Sequence, residues 1–448
     1  MMDNKPVTEL ELLAAQKAHD LLKVLREKEP HVQDKYEYYN ADNDIRDFGI
    51  SIPKKMIGNR PGIGWAARAV NTLSDRVVFD GFANDTFGIN DLLNEINGQV
   101  VIAKAKHDAF IGGVAFVGVA DEPGTGRKML VPFSALEATG VVDQRTGLLK
   151  YGLAVTRWAY PTDKRFKRIL GPADYVLFYP EFTAIFENKE LTRVIPNPTG
   201  RCLLHPVTHR ASADRPFGKS RLTNTARRII QEVGRLKRRE EIAEEFYSTP
   251  QRYITGLAEG TKKDEKMDTS IGKWITITKD EDGDAPTVGQ LAQMSIKEFT
   301  EAKKDKARDF CAETALTLRN LGYETGNPSS AESLAAMSDD LLLEAQNSQT
   351  EMGEQIKQIC ITLRMAIDGN NVVPDELKAL VPAWKPVFQV DIAGAGDAMF
   401  KLFEVMPELQ GTVAGYRMLG IGVREAEQLA AKRAAAANNA FMGAAGGQ

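Results

Sequence analysis

The order of apolar and polar positions divides the chain into long helical stretches and a block of short strands. Residues 7–28 place Leu10, Leu12, Leu13, Ala18, Leu21, Leu22 and Leu25 on one broad face, the spacing of an amphipathic helix. An aromatic and polar stretch with turn residues, YEYYNADNDIRDFG (36–49), follows, and then a Pro/Gly-marked loop at 53–64. Ala69, Val70, Leu73, Val77 and Val78 predict a second helix from Trp65 to Val78, ended by Phe79-Asp80-Gly81. The 91–112 stretch predicts another helix, and 113–119 a buried strand. Residues 129–207 alternate short β-like runs with turns, the pattern of an antiparallel sheet in an α+β body.

The chain is organised around Arg215 to Pro328, which reads as two long helices flanking a small module. Pro216 and Gly218 break what precedes, Ser220 is placed to cap, and Leu222, Ala226, Ile229, Ile230, Val233 and Leu236 recur at helical spacing up to a stop at Pro250. The second helix, from about Ser295 to Leu318, has no convincing apolar stripe in its first half, with Ile296, Phe299 and Phe310 standing among lysines and acids. A helix polar nearly all round bridges compact bodies or leans on neighbours. Between the two, 251–294 carries RYITGL and KWITIT as strands separated by charged turns, too little chain for a core of its own. Two antiparallel struts with a module at their far end suit an elongated molecule.

Beyond them, NLGYETGNP (320–328) reads as a loop with two glycines and a proline. A third long helix opens with Ser329 or Ser330 as cap and Glu332 in its first turn, and runs to about Ile367. A short β-like piece, WKPVFQVDI (384–392), precedes an alanine-rich helical stretch at 397–439 and a frayed tail. No internal repeat at a fixed period is present.

Length and charge narrow the class. At 448 residues the chain exceeds what one core usually serves, so two to four domains are expected. A net charge of −4, from 57 Lys+Arg against 61 Asp+Glu, argues against a dedicated nucleic-acid binder but not against a protein that DNA slides past. Cys202, Cys311 and Cys360 are odd in number and widely spaced, which implies a reducing compartment rather than a disulfide framework. The N-terminal segment carries acids within its apolar pattern and is no signal peptide, and AFIGGVAFVGVA (109–120) is too short to span a bilayer, so no membrane association is expected.

Three candidate chemistries compete with bland readings. ADRPFGKS (213–220) fits a loosened P-loop pattern, with Lys219 for phosphates and Ser220 for Mg²⁺, but Ala213 replaces the first glycine and HPVTHRAS is a poor strand to precede it. A turn and helix cap is favoured. Cys202, His205 and His209 lack a fourth metal ligand and read as a surface loop. No cofactor or metal is expected, and five histidines with no G-x-S-x-G elbow leave little room for a hydrolase. Arg227, Arg228, Arg235, Lys237, Arg238 and Arg239 form a basic cluster followed by Glu240, Glu241, Glu244 and Glu245. Salt bridges between neighbouring subunits are favoured there over phosphate contact, since strong contacts would brake a moving duplex.

Several strings in order resemble the portal proteins of tailed bacteriophages: YEYYNADND, IGWAARAVNTLSDRVVFDGF, VIAKAKHDAFIGGVAFV, RPFGKS, FYSTPQRYITG, GNPSSAESL and WKPVFQVDIAGAGDAMFKL. Together they cover most of the chain, and their order carries the weight. The resemblance implies an elongated multi-domain portal architecture: an α/β wing (1–216), long antiparallel stem helices (217–250 and 295–319) and a small β-containing clip (251–294). A tunnel loop (320–328), a long wing helix with a return strand (329–395) and a helical crown with a flexible tail (396–448) complete it. It further implies a non-enzymatic, dodecameric ring at the capsid vertex of the virion, assembled in the host bacterial cytoplasm, through which double-stranded DNA is packaged and ejected. The implied partners are further copies of the chain, the terminase large subunit, major capsid and scaffolding proteins and a head-tail adaptor. Asn320, Gly322, Tyr323, Glu324, Thr325, Gly326 and Asn327 would face the channel. Another phage structural protein, such as a minor head protein or adaptor, and a P-loop NTPase using Lys219 are the alternatives.

Overall fold

A computed structural model of the chain describes residues 9–46, 61–159, 171–247, 252–255, 287–290, 296–323, 339–387 and 392–445. The fold is α+β, in two compact units: Met1–Asn43, Gly64–Arg228 and Phe310–Gln448 form the first, Asp44–Ile63 and Ile229–Asp309 the second.

The first unit opens with α1, Glu9–Tyr39, which outruns the expected helix by a full aromatic segment and passes through Pro30. Proline removes one helical hydrogen bond, and here it stands on the exposed side. The C-terminal turns are held by tertiary bonds. Tyr36 Oη donates to Asp108 Oδ1 (3.0 Å), Tyr39 Oη to Asn71 Oδ1 (3.0 Å) and Lys35 Nζ to the Gly112 carbonyl (2.6 Å). These contacts override the turn propensity of YEYYN.

Next come α2 (Trp65–Ser74), β1 (Phe79–Phe82), α3 (Ile89–Glu95) and α4 (Gly98–Gly112). α2 stops at Ser74 rather than Val78, because the buried Lys106 ammonium donates to the carbonyls of Ser74 (2.7 Å) and Val77 (2.6 Å). Burial pushes that ammonium down to about 8. Phe79-Asp80-Gly81, expected to end a helix, instead starts a strand. The single helix expected at 91–112 is split at Asn97, which takes a left-handed φ of 54°, a conformation that asparagine adopts more readily than other residues with a side chain.

The strands follow as β2 (Val114–Asp121), β3 (Lys128–Ser134), β4 (Ala138–Val142), β5 (Leu149–Trp158), β6 (Pro172–Phe178), β7 (Phe182–Glu187), β8 (Glu190–Pro196) and β9 (Leu204–Thr208). They make two sheets, one ordered β3-β2-β9 and one a β4-β5-β6-β7-β8 meander, with every pairing antiparallel. Pro206 pairs with Phe116 in β9, an edge strand, where a missing N–H is tolerated. Ala14, Ala18, Leu21 and Leu25 recur along α1 and bury against Leu153, Tyr175, Leu177, Phe182 and Phe186 of the meander. A second cluster joins Val32 to Phe116, Phe133, Leu149 and Leu204. Gly152 permits it: a Cβ there would lie 2.7 Å from Leu204 Cδ2.

The two long helices are α5, Asn224–Tyr247, and, after strands β10 (Arg252–Thr255) and β11 (Thr287–Gln290), α6, Lys297–Thr314. α5 starts three residues later than expected. Its cap is Thr223, whose Oγ1 accepts the Ala226 N–H (3.1 Å); the Ser220 hydroxyl instead donates to the Ile111 carbonyl (2.6 Å) and accepts the Leu222 N–H (3.0 Å) in the turn before the helix. α6 stops at Thr314, not Leu318: Ala315 turns left-handed (φ 51°) and the Leu316 N–H closes on the Cys311 carbonyl (3.1 Å). Ala307, Phe310, Cys311 and Thr314 form its buried stripe. β10 pairs in register with β11, Arg252 opposite Gln290. That partner strand follows the expected acidic turn DEDGDAP, in a stretch for which no strand was expected, and KWITIT lies outside the described residues.

Within the second unit, Gln231 secures the N-terminal piece to α5. Its Nε2 donates to the Asp44 carbonyl (2.5 Å) and its Oε1 accepts from the Arg46 N–H (3.0 Å). Ile230, Val233 and Ala307 are fully buried, and Lys306 pairs with Glu232 (2.9 Å).

The first unit is completed by a 3₁₀ turn at Leu318–Leu321, then α7 (Asp339–Asp368), α8 (Asp375–Lys378), β12 (Pro382–Trp384), α9 (Ile392–Val405), α10 (Val413–Met418) and α11 (Val423–Ala445). The proposed caps Ser329 and Ser330 lie outside the described residues, while the end of α7 falls where expected. Of the β-like run 384–392, Trp384 lies in β12 and Ile392 already begins α9, while 388–391 lie outside the described residues. β12 pairs antiparallel with β1, setting the Trp384 and Phe79 rings edge to face at 5.5 Å.

Candidate assembly and channel surfaces

The RPFGKS segment shows why a phosphate-loop pattern arises without a phosphate cradle. Gly218 is left-handed (φ 67°), and a Cβ on it would lie 2.4 Å from the His209 carbonyl oxygen and 2.8 Å from that of Gly113. The amides a cradle would present are already engaged. Gly218 N–H donates to Arg215 O (2.9 Å), Lys219 N–H to His209 O (2.7 Å) and Arg221 N–H to Phe110 O (3.0 Å). The glycine is there for close docking onto the α4–β2 corner, and the helix that should receive phosphate begins only at Asn224.

That docking delivers Arg221 to the interior. Its guanidinium pairs through Nη1 with Glu344 of α7, donates through Nε to Ala69 O (2.7 Å) and through Nη2 to Thr314 O (2.7 Å). Both side chains are buried, and Arg210 reaches the other Glu344 oxygen (3.2 Å). Two turns along, Glu351 accepts from Thr208 Oγ1 (2.8 Å) and from the backbone N–H groups of Arg210 (2.8 Å) and Ala211 (2.9 Å). Sequence reasoning missed this polar spine. The available signal was a charge inside an apolar run: Arg221 beside Leu222, and Glu344 within LLLEA.

Cys202, His205 and His209 are not in a surface loop. All three are buried in and beside β9, where extended backbone replaces the expected exposed turn. Burial holds His205 and His209 down to about 3, and pushes the Cys202 thiol up to about 12. Cys202 Sγ donates to the Phe178 carbonyl (3.5 Å). Among the described residues, no group of three or more His, Cys, Asp or Glu is arranged to hold a metal ion.

The six basic residues of α5 occupy different surroundings. Arg227 pairs with Asp34 of α1 and lies over the Tyr38 ring (5.8 Å). Arg228, in the same unit, is exposed. In the second unit Arg238 is 2% exposed, Arg235 and Lys237 are half-buried, and Arg239 is exposed. Of the 320–328 loop, Asn320, Gly322 and Tyr323 are described, while Glu324, Thr325, Gly326 and Asn327 lie outside the described residues. Asn320 is folded into the 3₁₀ turn rather than free: its Oδ1 accepts from Thr317 N–H (2.9 Å), and its carbonyl accepts from Arg68 Nε (2.8 Å). Gly322 follows at φ 83°, and the Tyr323 N–H donates to the Leu318 carbonyl (3.1 Å). The exposed entrance to the loop is therefore anchored at its first residue. No helix among the described residues is long and apolar enough to cross a membrane.

No family model matches the chain. It is similar to two curated phage proteins. The portal protein of Mycobacterium phage L5 is 21% identical over 417 residues, 88% of this chain and 82% of that protein. The portal protein of Mycobacterium phage D29 is 20% identical over 409 residues, 86% of this chain and 81% of that protein. A solved structure titled the neck of a native GTA particle computed with C12 symmetry covers 87% of this chain and 99% of its own, at 13% identity and a TM-score of 0.43. The likeness to phage portal proteins suggested by the local strings thus extends over most of the sequence.

Proposed function

From this relationship to phage portal proteins, we propose that the chain is a structural, non-enzymatic component of a phage particle: a dodecameric portal ring at the capsid vertex. The carrying observation is sequence similarity through nearly nine-tenths of the chain to two proteins named portal protein. The order helix, antiparallel strand pair, helix in α5, β10, β11 and α6 supports the reading as stem, clip and stem. Residues 1–216 then serve as the wing, 251–294 as the clip that docks the terminase and later the head-tail adaptor, and 396–448 as the crown.

In this reading the channel passes double-stranded DNA without reading its sequence. The near-balance of charge suits it, because each neutralised phosphate adds grip and salt dependence. Residues 320–328 project into the channel, with Gly322 and Gly326 supplying backbone freedom beyond the anchor at Asn320. Tyr323 is the side chain placed to press on the duplex. Exposed Arg228 and Arg239 are available to carboxylates of a neighbouring copy.

Imaging the purified full-length chain, with its mass determined alongside, tests the proposal. Closed rings of about a dozen copies around a channel are expected. A uniform monomer that binds ATP, and loses it on Lys219→Ala, would overturn it. Deleting 321–326 should leave rings intact while impairing packaging or retention of DNA.

A further inference from the structure

A cleft of about 310 Å³ in the first unit, between α1, β2, β4 and the RPFGKS turn, is unused by anything above. Val32, Phe116, Ala138 and Phe217 give it apolar walls, and Lys28 and Lys35 supply cations at its edge. Lys28 Nζ stands 4.6 Å from the centroid of the Phe217 ring, and no carboxylate pairs with it among the described residues. Lys35 Nζ is spent on the Gly112 carbonyl (2.6 Å). Glu27 and His31 stand at the mouth. Partial burial against the cleft also holds Lys28 below the ordinary lysine range, while the residue keeps an exposed face.

The complementary surface is on the same chain. Phe400 of α9 is 69% exposed and Val405 78% exposed, with Met406 beside them. Glu404, four residues after Phe400 and so on the same helical face, is exposed as well. A large apolar ring with a carboxylate one turn away matches a cleft with apolar walls and an unpaired lysine at its lip.

We propose that this cleft receives the α9 segment of a second copy of the chain, Phe400 entering between Phe217 and Val32 and Glu404 pairing with Lys28. Two different patches meeting head to tail make a heterologous contact, the kind that closes into a ring. The inference rests on the ring reading and specifies one of its contacts.

The test is a charge exchange in the full-length protein, read as the fraction of chain in rings at fixed concentration. Lys28→Glu and Glu404→Lys should each lower that fraction at least tenfold, and combining them should restore it. Phe400→Ala should lower it without rescue. Both charged positions are exposed, so the variants should keep the circular dichroism of the parent. Undiminished rings in Lys28→Glu, or a double variant no better than the singles, would overturn this contact and leave the ring reading standing. A parent chain that forms no rings would overturn the ring reading itself.

Discussion

Arg221 and Glu344 meet as a buried ion pair whose cation also accounts for two orphan carbonyls, those of Ala69 in α2 and Thr314 at the end of α6. One side chain thereby joins three segments far apart in sequence. Its planar fork of donors is what allows this, since Nε, Nη1 and Nη2 reach three separate partners that a single ammonium nitrogen would have to reach from one point.

Removing Glu344 leaves the Arg221 charge buried without a counter-charge, and removing Arg221 leaves Glu344 with only the largely exposed Arg210. Arg221→Met or Glu344→Gln should each cost about 3–5 kcal/mol in chemical denaturation. The pair Arg221→Met with Glu344→Leu should cost less than the two singles added, because no stranded charge remains.

Gly218 and Lys219 separate architecture from nucleotide chemistry. Gly218→Ala meets a left-handed backbone and a carbonyl at 2.4 Å, and should lower stability by more than about 2 kcal/mol. Lys219→Ala should stay within about 0.5 kcal/mol of the parent, with ATP binding undetectable in both by calorimetry.

Ala315 pays a steric penalty in its left-handed cap. Ala315→Gly should raise stability by about 0.5–1 kcal/mol, read as an upward shift in denaturant midpoint at unchanged slope.

The buried histidines set an acid limit. His205 titrates near 3 in the fold, against about 6.5 when exposed, so the unfolded chain binds the extra proton between those values. Its contribution is fully present above about 6.5 and is lost as pH falls toward 3, by up to tenfold in the folding equilibrium per pH unit. His209 acts in the same sense. His205→Gln should therefore show a shallower loss of stability than the parent between pH 6 and about 4.

Periodicity carried the regular parts of this fold into view. The stripe of Ala18, Leu21 and Leu25, the apolar face of α5 and the buried run of β2 all depend on neighbours a few residues away, which a linear reading sees. What escaped it depends on distant partners. Pro30 does not end α1, because Tyr36 and Tyr39 find Asp108 and Asn71. Ser220 does not cap α5, because its hydroxyl bridges the Ile111 carbonyl and the Leu222 N–H in the turn before the helix. The surfaces proposed to meet DNA and other copies were legible only through family likeness, since exposure and charge in one chain do not name what will face them.

The pairing of β1 with β12 sets a timetable. Phe79 and Phe82 are made early, yet their strand partners at Pro382–Trp384 leave the ribosome some three hundred residues later. At ~5–20 residues per second that wait lasts on the order of tens of seconds. During it the larger piece of the second unit, Ile229–Asp309, is synthesised, while the first remains unfinished with an unpaired aromatic strand. A nascent chain in that condition is a natural client for chaperones, and truncations before residue 384 should aggregate during synthesis rather than accumulate as a smaller soluble protein.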